Sequence, residues 1–135
     1  MADGAVAVVQ RLYDCFAQGD VPGALATMAP DIVWNEANNH PYADGNPYIG
    51  PEAVLHGVFA RCVGEWDAFA ATPDELLDAG DVAIGLGHYT GVNKASGKPM
   101  RTQFAHVCRV RDGRIVAFQQ YADTLHMTQA MDMSA

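Results

Sequence analysis

The 135-residue sequence is short of the features that mark several large protein classes. It has three cysteines, Cys15, Cys62 and Cys108, odd in number, far apart and each in an apolar context. That excludes a disulfide framework and points to reduced core thiols. No apolar run approaches the roughly 18–20 residues needed to span a bilayer. Basic residues are scarce, and the formal net charge is −8. Nucleic acids and anionic membranes, which need clustered Lys and Arg, are therefore excluded as partners. The basic residues that do cluster, Arg109, Arg111 and Arg114, read as a solvated hairpin tip. His40, His56, His88, His106 and His126 show no i,i+4 pairing, and no Cys pair accompanies them, so no metal is expected. There is no G-x-G-x-x-G, no P-loop and no nucleophile elbow, which leaves nucleotide cofactors and serine hydrolase chemistry without support. No repeat, low-complexity tract or linker is present. The N-terminal stretch MADGAVAVVQRLYDCF has an acid at Asp3 and helical periodicity, unlike a signal peptide, so a cytoplasmic protein is expected.

What is present is a chain of one-domain length, 1–135, long enough to bury a core and one pocket. Its clearest local signal is MRTQFAHVCRVRDGRIVAFQQYADT, Met100 to Thr124. Asp112-Gly113 between apolar runs predicts a two-residue type I′ hairpin. A regular hairpin then sets Arg111 against Arg114, Val110 against Ile115, Ala105 against Gln120, His106 against Gln119 and Thr102 against Asp123. That register places Gln103 and Gln120 on one face, and His106 and Asp123 on the other. Neither face is purely polar, so both are expected to be covered, one by the protein's own helices and the other by a second subunit.

The rest of the chain reads in order. Val6, Val9, Leu12, Tyr13 and Phe16 make the apolar stripe of a first helix, capped by Asp3 or Gly4. Asp20 caps a short second helix with Pro22 in its first turn. Ile32-Val33-Trp34 reads as a strand leading to Asn35-Glu36. Residues 37–50 are rich in turn formers, and a loop of that length is functional or mobile. Pro51-Glu52 opens a third helix. Phe69 to Leu77 reads as a strand in which Pro73 marks an edge or a bulge. In Val82 to Val92, Val82, Ile84, Leu86 and His88 share one face and Ala83, Gly85, Gly87 and Tyr89 the other. Leu125 to Met131 reads as a terminal helix. Helices grouped before a run of strands predict an α+β domain with the sheet wrapped around the helices.

Four stretches, VVQRLYDCFAQGD, APDIVWNEA, YIGPEAV and FAHVCRVRDGRIVAFQQYADT, in this order resemble the nuclear transport factor 2-like superfamily. Within it the chain resembles the SnoaL-like polyketide cyclases and the ketosteroid isomerases. The resemblance implies a cone-shaped, strongly curved antiparallel sheet wrapped around three N-terminal helices, a deep apolar pocket, and a homodimer formed through the sheet.

It also implies where to look for chemistry. Glu36 falls where ketosteroid isomerases keep a catalytic aspartate. In an apolar pocket its pKa would rise to a useful acid–base range; at a strand end it would be an ordinary solvated carboxylate. The other isomerase residues do not match: the enolate-stabilising tyrosine falls on Leu12, with Tyr13 one position off, and the protonated aspartic acid falls on Ala105. Steroid isomerisation by the usual mechanism is therefore not expected. The catalytic aspartate of the cyclases aligns with Gln120, which can orient a carbonyl or a water but cannot take a proton near neutral pH. Gln103 and Gln120 either share a ligand or bond each other. His106 and Asp123 are either a general base with its orienter, or a buried core histidine and a cap for the terminal turn. His88 is a further pocket candidate. Tyr13, Trp34, Tyr48, Phe59, Phe104 and Phe118 are core aromatics, several of which would line the cone.

The expected function is a cofactor-independent small-molecule enzyme, an isomerase, cyclase, dehydratase or hydrolase acting on a small, largely apolar molecule. Glu36 would be the base, with His106 or Asp123 assisting and Gln103 and Gln120 orienting. The alternatives are a non-catalytic binding module with the same pocket and a dimerisation domain whose cone is filled by its own side chains.

Overall fold

The structure, a computed structural model, describes residues 4–133. Asp3, one of the two N-cap candidates, lies outside that range. Helix α1 (Ala5–Ala17) is capped by Gly4 without a side-chain bond; of the expected stripe it buries Val9, Leu12 and Tyr13, joined by Val8, while Val6 and Phe16 are half-buried. Helix α2 (Val21–Leu25) follows, with the Gly23 N–H donating to Asp20 Oδ1 at 2.9 Å. Strand β1 (Met28–Asn35) leads into the 37–50 stretch, which is ordered by a 3₁₀ turn (Pro41–Gly45) and a two-residue strand, β2 (Tyr48–Ile49). Helix α3 (Pro51–Val54) runs through a π-helical turn (Leu55–Phe59) into α4 (Ala60–Glu65). Four long strands close the chain: β3 (Trp66–Asp78), β4 (Val82–Asn93), β5 (Pro99–Arg111) and β6 (Arg114–Ala122), followed by helix α5 (Thr124–Ala130).

The strands form one six-stranded curved sheet in the order β2-β1-β6-β5-β4-β3. It is not wholly antiparallel, as the resemblance implies, because β1 pairs with β6 in parallel. Helix α1 lies across β3, β4, β5 and β6 on the concave side, so the core sits between that helix and the sheet. Pro73 behaves as its chemistry requires. It sits on the edge strand β3, and the β3–β4 register shifts between Pro73 and Glu75. Inward on β4 are Ala83, Gly85, Gly87 and Tyr89, so the Val82–His88 face points outward.

The hairpin turn is as expected: Asp112 has φ 52° and Gly113 φ 76°, the positive values a type I′ turn needs. The register beyond it is not. Arg111 faces Arg114 and Val110 faces Ile115, but then Arg109 pairs with Ala117, leaving Val116 as a bulge. From there every pairing is displaced by one residue. His106 faces Gln120 rather than Gln119, and Ala105 faces Tyr121 rather than Gln120. The bulge lets Ile115, Phe118 and Gln120 all point inward with Phe104, His106 and Cys108. In a regular strand Ile115 and Phe118, three residues apart, would lie on opposite faces.

Candidate functional site

Between α1 and the concave face of the sheet lies a cavity of about 50 Å3, measured as the space the centre of a water molecule can occupy. One water needs roughly 10–15 Å3 by that measure. Its wall is mostly apolar and aromatic: Phe16, Trp34, Phe59, Phe69, Phe118 and Met127, among others. Trp34 and Phe118, paired across β1 and β6, stack with ring centroids 3.5 Å apart. The polar groups in the wall are few and all fixed.

Glu36, just past the end of β1, is 3 % exposed and faces the cavity. Its placement is made by the residues around it. The Glu36 N–H donates to Asn46 Oδ1 at 3.0 Å and the Glu36 carbonyl accepts from Asn46 Nδ2 at 2.8 Å. That two-way clamp holds the backbone, and Trp34 Nε1–H donates to the carboxyl Oε2 at 3.2 Å. Burial disfavours the charged form and pushes the carboxyl pKa up to about 7, against smaller lowering by the Trp34 bond and the Arg61 charge. Glu36 is thus a carboxyl that changes charge near neutral pH.

A chain of buried hydrogen bonds starts beside Glu36 and runs along the cavity wall. The Ala37 N–H donates to Gln120 Oε1 at 3.0 Å, and Gln120 Nε2 donates to the Tyr89 hydroxyl at 2.7 Å. The Tyr89 hydroxyl bonds His106 Nε2 at 2.5 Å, and His106 Nδ1 bonds the Tyr13 hydroxyl at 2.7 Å. Gln120 and His106 are 2 % and 4 % exposed. Burial lowers the His106 pKa to about 3 and raises both phenols well above their usual range. At neutral pH the imidazole is neutral and both tyrosines keep their protons. His40 adds one more group. Its Nδ1 accepts from the Tyr42 N–H at 2.9 Å, so in the neutral ring Nε2 carries the proton. Burial, with a smaller effect of Arg61, holds its pKa down to about 4.

Of the residues selected from the sequence, Tyr13, Trp34, Glu36, Phe59, His106, Phe118 and Gln120 surround this one cavity. Four others do not. Tyr48 is buried, but its ring packs against Gly45 and Gly57 and its hydroxyl donates to the Tyr42 carbonyl at 2.6 Å, so it pins the 3₁₀ turn instead of facing the cavity. Asp123 caps α5, its Oδ1 accepting from the His126 N–H at 3.1 Å. His88 lies on the outer face of the sheet with Nδ1 2.9 Å from Asp74 Oδ2. Gln103 is exposed on that same face, because the bulge separates it from Gln120. Gln103, His88 and Asp123 border an open outer groove of about 440 Å3.

Sequence reasoning missed Tyr89, His40 and Asn46. Tyr89 had a signal: Gly85 and Gly87 on its face leave room inside the sheet. The Tyr13 hydroxyl sits beside Gly85 and Tyr13 borders the cavity, one position from Leu12, where the resemblance places a phenol. Among the described residues, no cluster of three His, Cys, Asp or Glu side chains could hold a metal, and no helix is long and apolar enough to cross a membrane.

Comparison with known proteins agrees with this architecture. The family model for the SnoaL-like domain matches residues 9–118. An NTF2-like protein of Burkholderia thailandensis is 36 % identical, with 96 % of this chain and 98 % of that one covered at a TM-score of 0.90. IdmH of Streptomyces antibioticus, a candidate polyketide cyclase, is 23 % identical over 93 % of this chain and 96 % of its own, with a TM-score of 0.76. A protein of ketosteroid isomerase-like fold from Catenulispora acidiphila, solved with trimethylamine, is 16 % identical over 96 % and 95 %, with a TM-score of 0.78. No curated protein matches the sequence.

Proposed function

The chain is a member of the SnoaL-like domain family, and from that premise we propose that it is a cofactor-independent enzyme performing general acid–base chemistry on a small, largely apolar molecule. The observation that carries the proposal is Glu36, a carboxyl in an apolar wall whose pKa of about 7 suits it to take and return a proton. The phenols of Tyr13 and Tyr89 lie in the same wall and are able to donate to an oxygen that gains charge as the proton leaves. Isomerisation, cyclisation, dehydration and hydrolysis all use that pair of roles. Glu36→Gln keeps the shape and removes the base. Turnover of a cognate substrate by wild type should be lost in this variant, and unchanged turnover would rule Glu36 out as the base.

A second reading is a binding module without chemistry. The observation in its favour is that every group of the Ala37–Gln120–Tyr89–His106–Tyr13 chain already has a protein partner, so a ligand need do little more than fill space. Such a module would raise its melting temperature with ligand and return the ligand unchanged. We also infer a homodimer through the outer face of the sheet, because Ile49, Leu77 and Tyr121 leave apolar surface exposed on the strands. Sedimentation of a monomer at micromolar concentration would refute the dimer.

A further inference from the structure

A count of protons along the buried chain limits how it is wired. The Ala37 N–H can only donate, so Gln120 Oε1 accepts and Gln120 Nε2 must donate to the Tyr89 oxygen. Tyr13, His106 and Tyr89 are then joined by two hydrogen bonds. With a neutral imidazole these groups hold three mobile protons, one on each phenol and one on the ring. Two protons lie in the bonds and the third is left over.

Where the third lies depends on the tautomer. With the ring proton on Nε2, Tyr13 donates to Nδ1, Nε2–H donates to Tyr89, and the Tyr89 O–H is spare. With the ring proton on Nδ1, Tyr89 donates to Nε2, Nδ1–H donates to Tyr13, and the Tyr13 O–H is spare. Both arrangements make both bonds and differ only in which phenol keeps an O–H with no acceptor among the described residues, so neither tautomer is favoured by the count of bonds. Both phenols border the cavity.

We propose that His106 is a positioning residue acting as a tautomeric switch, presenting the O–H of Tyr89 or of Tyr13 to a ligand, one at a time, and passing a proton between them. The other phenol then offers only oxygen lone pairs, so the pair matches a ligand with one acceptor and one donor atom. The transfer balances without a change of net charge. The ligand donor gives its proton to the Tyr13 oxygen, and Tyr13 gives its own to Nδ1. Nε2 releases its proton to Tyr89, and Tyr89 gives its own to the ligand acceptor. Each O–H or N–H bond broken is replaced by one formed, and no oxidant or reductant takes part. The ring ends as the Nδ1–H tautomer, and water in the cavity returns it by the reverse path. Use of the switch rests on the reading of the cavity as a ligand site; the tautomer exchange itself is a property of the free protein.

The test is long-range 1H–15N NMR of the full chain labelled with 15N-histidine, near pH 7, with His106 assigned by the signals lost in His106→Gln. Wild type should show both tautomers, either as two sets of ring signals or as shifts averaged between a protonated and a bare nitrogen. Tyr13→Phe strips the partner from Nδ1. A buried N–H without an acceptor costs more than an unused lone pair, so the ring should move to the Nε2–H form. Tyr89→Phe should move it to the Nδ1–H form. That second variant also strands Gln120 Nε2, so if it does not fold, Tyr13→Phe decides alone. The same single tautomer in wild type and Tyr13→Phe, or a doubly protonated ring, overturns the proposal. Glu36→Gln should leave the tautomer signature in place while it removes turnover, so failure of the switch and failure of the acid–base reading are separable.

Discussion

The hydroxyl of Tyr13 occupies the space a side chain at Gly85 would fill: a Cβ built at Gly85 lies 2.2 Å from that oxygen. Strand β4 is hollowed at one position, and the hollow admits a group from helix α1.

Gly85→Ala should therefore push the phenol out of line with His106. A forced shift in a packed wall costs typically about 1–3 kcal/mol, read as a lowered denaturation midpoint, and ligand binding or turnover should fall with it. Tyr13→Phe removes the atom in closest conflict. The double variant should lose less stability than the two single losses added together, which a double-mutant cycle measures directly.

Glu36 gives stability a sign that opposes most carboxylates. Its folded pKa of about 7 lies above the usual value of 4.5. Between those two pH values the unfolded chain has released the proton and the folded protein has kept it, so this group lowers stability as pH rises. Glu36→Gln should gain on wild type by on the order of 3 kcal/mol between pH 4.5 and 8, measured by chemical denaturation at each pH. If Glu36 is the base, as proposed, kcat/KM should rise with pH through an inflection near 7 as it loses its proton.

The buried histidines pull the other way. His106 and His40 have folded pKa values of about 3 and about 4, below the usual 6.5. From pH 6.5 down to 4.5 the unfolded chain gains two protons at these rings that the folded protein refuses, while Glu36 offsets one. Stability should fall on acidification by roughly 1 kcal/mol per pH unit in that window, and the slope should steepen in Glu36→Gln. Thermal melts across pH 4.5–8 should place the wild-type maximum near pH 7.

Gln120→Leu should show what the amide holds together. It removes the acceptor of the Ala37 N–H and the donor to Tyr89 in one step. An unmet buried donor costs about 1–3 kcal/mol, and hydrogen exchange at the Ala37 amide should speed up relative to the neighbouring strand amides.

Gly57→Ala sets two effects against each other. Helix propensity favours alanine by roughly 1 kcal/mol, but a Cβ there would lie 2.0 Å from Tyr48 Cε1. Tyr48 cannot swing away, because Gly45 packs on the same ring and the Tyr48 hydroxyl is bonded to the Tyr42 carbonyl. The substitution should destabilise, and Tyr48→Ala in the same chain should cancel the steric part of the loss.

The element order, the helix faces, the turn at Asp112-Gly113 and the bulge at Pro73 were legible because each rests on local chemistry. The residues around the cavity were partly legible: Glu36 and His106 stand out as polar groups in apolar surroundings. What local pattern did not reveal was the bulge at Val116, and one displaced residue moved Gln120 to the inner face and left Gln103 outside. A hint was present in Ile115 and Phe118, two large apolar residues at an odd spacing that a regular strand cannot bury together. Tyr89 shares its strand face with Gly85 and Gly87, and what fills their space, the Tyr13 hydroxyl and the Phe104 ring, comes from elements distant in sequence. The clamp from Asn46 to Glu36 joins residues across a turn whose path depends on Tyr48, so no short window of sequence contains it.

The parallel pairing of β1 with β6 joins a strand made early to one made last. While the chain is still being synthesised, β1 has no neighbour on that side until residue 114 and beyond have left the ribosome. Glu36 and Gln120 cannot share a wall before then. A nascent chain halted short of β6 would hold α1 and most of the sheet yet enclose nothing, and such distant pairing makes for slow closure. The hollow is enclosed only by the final strand.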